Sequence, residues 1–211
     1  MQSSSVQEET VRSHQTAPGA IRIFGRLTPL LVAALLLPGC GEAERPSAPE
    51  RYSTRLAPLN DSGVEGRAIF TLSSDRLIVD IEATGLEPKR IHAQNLFAAT
   101  SGKRPTRCPT AEADRDGDDL VAFEEGERSY GPIARALEPY PTVGADGDLD
   151  YVMGSRVDPS RVLPLDGRVL LLQGMQVSAS GGAGAELYDP GVPVACGRLA
   201  RMPVAPPPPE E

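Results

Sequence analysis

The chain has 211 residues with 29 acidic against 21 basic side chains, a formal net charge of −8, so it lacks the basic surplus that phosphate backbones demand. Nucleic acid is therefore not expected as a partner. Aromatic residues make up only 4 % and Trp is absent, while 21 Gly and 21 Pro punctuate the sequence as short strands joined by turns require, which argues against a helical bundle.

Residues 22 to 40 read RIFGRLTPLLVAALLLPGC: two arginines, an apolar run from Leu30 to Leu37, then small residues ending in Cys40. The apolar run is too short to span a bilayer and sits where the h-region of an export signal sits. Its end, LPGC, resembles a bacterial lipobox, which implies cleavage before Cys40 and acylation of that residue. Residues 1–39 are thus read as a lipoprotein-type signal; the polar stretch ahead of Arg22 is longer than an n-region needs, which points to a start downstream of Met1. Gly41, not Asp, follows Cys40, so outer-membrane sorting is expected, with the membrane as a partner through the lipid anchor. Residues 40–50 are polar and Pro-containing, as suits a tether, residues 51–202 form one domain, and residues 203–211 are a Pro-rich, polyproline-prone tail.

Within the domain the hydrophobic period is two. Residues 66–86 alternate through Ala68, Phe70 and Leu72, turn at Ser73-Ser74-Asp75, and alternate again through Leu77, Val79 and Ile81, which predicts a hairpin with one buried face. YGPIARALEP, between Tyr130 and Pro139, is the only stretch with a trace of helical periodicity, confined by Pro132 and Pro139. Asp146-Gly147 is a turn signal, GRVLLLQGMQV at 167–177 a more continuously apolar strand, SASGGAGAE at 178–186 a loop, and VPVACGRLA at 192–200 a further strand. The expected fold is all-β, an antiparallel Greek-key sandwich or flattened barrel of about eight strands. In an exported chain Cys108 and Cys196 read as a disulfide; the alternative of two free or metal-binding thiols has no Cys or His cluster beside either residue.

The acidic stretch DRDGDDLVAFEEG, Asp114 to Gly126, matches an EF-hand-type register. Asp114, Asp116 and Asp118 fall at the first, third and fifth places, the Leu120 carbonyl at the seventh and Glu125 at the twelfth, so hard oxygen donors can converge on Ca2+ with the weak affinity of extracellular modules. Asp119 stands where Gly is wanted for a positive φ, Ala122 offers no ninth-place oxygen, and Gly126 is expected to stop an exit helix after about one turn. A solvated acidic turn is the bland alternative.

The ordered motifs LNDSGVEGRAIFTLSSDRLIVDIEATGLEPKRIHAQNLF, CPTAEADRDGDDLVAFEEGERSYGPI, VLPLDGRVLLLQGM and YDPGVPVACGRL resemble CHRD-type domains of bacterial secreted proteins and, more distantly, copper/zinc superoxide dismutases, from about Tyr52 to Leu199. The resemblance implies an eight-stranded Greek-key sandwich with a disulfide joining a loop cysteine to the last strand, places held here by Cys108 and Cys196. Where the dismutase pattern has His-x-His and a later His before Gly, this chain has Asn95, Phe97 and Gln173; beyond Cys40 only His92 remains. One imidazole does not hold copper through two oxidation states, nor a zinc beside it. No copper or zinc is expected, and the chain reads as a non-enzymatic envelope module, structural or binding. The rivals are a divergent copper/zinc dismutase and a copper-delivery protein using His92, Met153 and Met175.

Overall fold

A computed structural model describes residues 48–178 and 186–203. The export signal, Cys40, the tether before Ser47's neighbour Ala48, the Gly-rich loop at 179–185 and the tail from 204 lie outside the described residues. Among those described, no helix is long and apolar enough to cross a membrane.

The strands are β1 (Glu50–Pro58), β2 (Glu65–Ser73), β3 (Arg76–Thr84), β4 (Ala93–Phe97), the short pair β5 (Thr100–Ser101) and β6 (Arg104–Pro105), β7 (Ile133–Ala136), β8 (Leu149–Arg156), β9 (Val169–Ser178), β10 (Glu186–Arg198) and β11 (Ala200–Arg201). Two short helices, α1 (Phe123–Tyr130) and α2 (Pro159–Val162), interrupt them. Eight strands follow one antiparallel path, β7-β4-β9-β10-β1-β2-β3-β8. The corner is at β1, whose first half pairs with β11 (Tyr52↔Arg201) while its last residues pair with β10 (Ala57↔Cys196, Pro58↔Ala195). By handing over partners along its length, β1 folds the sheet into two layers. The free edges then approach each other: Arg135 of β7 donates to the Ser155 hydroxyl of β8 at 2.9 Å, and the Tyr151 hydroxyl donates to the carbonyls of Leu137 and Pro139 at 3.1 and 3.0 Å. The result is the flattened, all-antiparallel sandwich that the sequence predicts.

The predicted hairpin is β2–β3, with Ala68, Phe70, Leu72, Leu77, Val79 and Ile81 facing the inter-layer core and Ser74 turning the chain at φ 49°. The continuous apolar run of β9 has a structural cause. Leu170 and Leu172 point into the inter-layer core, whereas Val169 and Leu171 point outward into a second cluster with Phe97, Tyr130 and Cys196, roofed by Leu59, Cys108 and Phe123. A strand covered on both faces has no polar alternation to show.

Three expectations need correction. β1 begins at Glu50, inside the stretch assigned to the tether. YGPIARALEP is not helical beyond Tyr130, the last residue of α1: Ile133–Ala136 is strand β7, paired with β4 through Asn95↔Ala136. Gly126 does not stop the helix after the acidic stretch; α1 continues to Tyr130 and ends at Gly131, φ 71°. The reason is packing, since Gly126 lies under the Tyr130 ring, where a Cβ would collide with it, and the Tyr130 hydroxyl donates back to the Phe123 carbonyl. Gly126 is a clearance residue in mid-helix, tolerated because the tertiary contact outweighs a propensity cost of about 1 kcal/mol.

Candidate functional site

The acidic loop runs from the 3-10 turn Ala111–Ala113 to the start of α1, across the outer apolar cluster. Its carboxylates fold their own backbone. Asp114 accepts from the amides of Gly117 (2.8 Å) and Asp119 (3.1 Å), Asp116 from that of Asp118 (3.3 Å), and Asp118 from that of Leu120 (2.9 Å). These Asx-type bonds curl the chain so that carboxylate oxygens of Asp114, Asp116 and Asp118 lie within 4.8 Å of one another. Asp119 has φ 66°, the left-handed conformation for which the register wants Gly.

Glu125 is not in that cluster of three. One of its oxygens accepts from the Arg115 amide at 2.7 Å and the other from the Ala122 amide at 3.0 Å. These backbone donors, Arg115's first, hold its carboxyl below the usual range. Ala122 has no side-chain acceptor, so only the Glu125 half of a capping box exists, and it serves α1. Leu120 enters the loop through its backbone N–H, which donates to the Asp118 carboxylate.

The loop is fastened to the sandwich by a residue that sequence reading missed. Asn60, in the β1–β2 connection at φ 55°, accepts from the Val121 amide at 2.8 Å and donates to the carbonyls of Val121 (3.1 Å) and Pro193 (2.9 Å). Val121 itself is buried. The one sequence hint at Asn60 is its pairing with Asp61 ahead of Gly63, a turn signal that says nothing of a tertiary latch. At the far end of the loop, Cys108 is bonded to Cys196 of β10, confirming the expected disulfide and tying the outer layer to the sheet.

The positions where the dismutase pattern has histidines form a different structure. The Asn95 amide donates to Gln173 Oε1 at 2.7 Å, the Tyr140 hydroxyl donates to Asn95 Oδ1 at 3.0 Å, and Gln173 Nε2 donates to the Gly191 carbonyl at 2.9 Å. Phe97 is buried in the outer cluster, its ring centroid 4.5 Å from that of Tyr130. His92 is fully buried, with Nδ1 3.1 Å from the Gln173 carbonyl oxygen and Nε2 3.0 Å from the Glu87 carbonyl oxygen. Met153 and Met175 pack against the inter-layer core. These residues do not fit copper or zinc: the amides satisfy one another, and both nitrogens of the imidazole face main-chain oxygens.

No family model matches the chain, and no curated protein matches it. Among solved structures it is similar to a SOD-like protein from Bacillus subtilis, at 20% identity over 70% of this chain and 97% of that one, TM-score 0.41. It is similar to a single-site mutant of a SOD-like protein from the same organism, at 20% identity over 69% of this chain and 95% of that one, TM-score 0.40. A double mutant from that organism stands at 21% identity, 69% and 95% coverage, and TM-score 0.40.

Proposed function

We propose that the chain is a non-enzymatic, lipid-anchored module of the cell envelope, sorted to the outer membrane, whose acidic loop takes up one structural calcium ion. The observation behind the calcium is the convergence of Asp114, Asp116 and Asp118 within 4.8 Å. Oxygens bound to one calcium at 2.3–2.6 Å are at most about 5 Å apart, so this spacing suits that ion. A cation also relieves the mutual repulsion of these carboxylates with Asp119. Glu125 completes the sphere only by leaving the Arg115 and Ala122 amides. The mutually bonded Asn95 and Gln173 and the enclosed His92 support a role without redox chemistry.

Calcium should raise the melting temperature of the protein, by an amount equivalent to about 2.7 kcal/mol when it stands a hundredfold above Kd. Asp114→Ala should abolish the rise, magnesium should produce less of it because a tight octahedron suits this loop poorly, and Asp119→Gly should enlarge it. A melting temperature indifferent to millimolar calcium and to chelator would return the stretch to a solvated acidic turn.

The anchor has its own test. Cys40→Ser should leave the protein unlabelled by radioactive fatty acid and release it from the membrane fraction. Unchanged partitioning, with no label in either form, would remove the lipoprotein part of the reading and leave the calcium part standing.

A further inference from the structure

The two edges of the sheet are finished differently. β7 is four residues long, follows Pro132 and meets β4 with an irregular register between Leu96 and Phe97, the short, bent kind of edge that resists further pairing. β8, at the other end, runs eight residues in unbroken register with β3, without proline or bulge. That register continues to Val157, which donates to the Asp75 carbonyl at 2.7 Å. Antiparallel pairs alternate between bonded and unbonded, so the N–H and C=O groups of Asp150, Val152, Gly154 and Arg156 point away from β3. They have no main-chain partner among the described residues. The contacts of β8 with the other layer use its inward side chains, Ser155 with Arg135 and Tyr151 with the carbonyls of Leu137 and Pro139.

We propose that this edge pairs antiparallel with the same edge of a second copy of the chain, about a twofold axis at Met153. In that register Asp150 stands opposite the second copy's Arg156 and Val152 opposite its Gly154, and the reciprocal pairs repeat beyond the axis. Every outward-pointing residue then donates and accepts across the junction. The charge order on the outer face selects this partner. Within one chain the β3–β8 register sets Glu82 beside Asp150 and Arg76 beside Arg156, like charges directly opposite, which is unfavourable. Arg67 neutralises Glu82 and Asp75 neutralises Arg156, but Asp150 and Arg76 are exposed and have no ionic partner among the described residues. β8 is thus acidic at its first end and basic at its last, so the same strand running the opposite way meets the opposite sign at both ends. The Arg76 guanidinium lies over Gly154, where a Cβ would stand 3.4 Å from Nη2. It therefore reaches the edge, beside the second copy's Val152 and diagonal to its Asp150. Val152, 63% exposed in the single chain, is covered there, and the two half-buried Met153 side chains meet at the axis on the inner face. A slip of two residues either way separates Asp150 from Arg156 and leaves one end of β8 with no strand residue opposite.

The test is sedimentation equilibrium of the full chain in density-matched nonionic detergent, from about 10 μM to about 1 mM protein, with hydrogen exchange followed over the same range. A monomer–dimer equilibrium is expected. Dimerisation should slow exchange at the amides of Val152 and Gly154, while those of Tyr151, Met153 and Ser155, bonded to β3 in both states, hardly change. Val152→Pro removes an N–H that β3 does not use and should abolish the dimer. Asp150→Arg alone and Arg156→Asp alone each set like charges against one another at both ends of the junction, and each should weaken association about tenfold or more. The double variant restores the pairing with its signs reversed and should recover the dimer. All three positions are exposed, so melting temperatures of the monomers separate lost association from lost folding, and the charge variants decide the matter should Val152→Pro disturb the strand itself. A monomer at every concentration, a dimer untouched by either single charge variant, or a double variant no better than the singles would each overturn the proposal.

Discussion

Replacing both Cys108 and Cys196 by Ala should destabilise the protein by about 4 to 5 kcal/mol, a fall in melting temperature of roughly 10 to 20 °C. The two residues are 88 apart in sequence, so the bond removes a large share of the loop-closure entropy of the unfolded chain. It also spans two structural layers. Cys196 sits in β10 beside Leu171 of β9, and Cys108 belongs to the roof that covers Phe97, Val169 and Leu171. Without the bond that roof is held by the aromatic contacts of Phe97, Phe123 and Tyr130 and by the Asn60 latch. Chemical denaturation of the two forms, compared at midpoint and slope, measures the loss. Hydrogen exchange should show residues 106–131 opening first in the variant. A loss below about 1 kcal/mol would mean that the roof stays docked on its own and that the unfolded chain is already compact.

The legible parts of this fold are those in which one local pattern has one physical cause. The β2–β3 hairpin shows because a sheet with one face in the core and one in water must alternate, and β9 shows because a strand enclosed on both sides must not. Asp119 was legible for the same reason: a loop folded by its own carboxylates needs a left-handed residue at that place, whatever surrounds it. The misreadings arise where a distant contact overrides the local signal. Gly126 looks like a helix stop until Tyr130 lies over it, and Ile133–Ala136 has a helix-like pattern that its pairing with β4 overrules. β1 carries its alternation in Tyr52, Thr54 and Leu56, but the polar Thr54 among them and the polar stretch before them obscure it. In the candidate site, the three aspartates were readable as a cluster because they are neighbours in sequence. Spacing alone makes Glu125 a ligand, whereas the amides of Arg115 and Ala122 compete for its two oxygens, and spacing carries no record of that competition.

Asn60→Ala should be the most damaging single polar substitution in the outer layer, costing about 2 to 4 kcal/mol. The side chain makes three hydrogen bonds to main-chain groups of Val121 and Pro193, each worth about 1 kcal/mol, and groups left buried and unpaired by its loss raise the cost. Its backbone sits at φ 55°, where Asn is better tolerated than Ala, by a further fraction of a kcal/mol to about 1 kcal/mol. The effect should reach beyond stability, because Asn60 is the direct polar bond between the acidic loop and the β1–β2 connection. A cation held by Asp114, Asp116 and Asp118 stabilises the sandwich only as far as the loop is coupled to it. The calcium-induced rise in melting temperature should therefore shrink in Asn60→Ala even though every carboxylate remains. Asn60→Asp separates the two functions of the side chain: it keeps the acceptor for the Val121 amide but loses both donations, and should fall between Ala and wild type in stability. If Asn60→Ala lowers the melting temperature yet leaves the calcium increment at its wild-type size, the loop communicates with the core through the disulfide and Val121 alone, and the latch is structural without being a conduit.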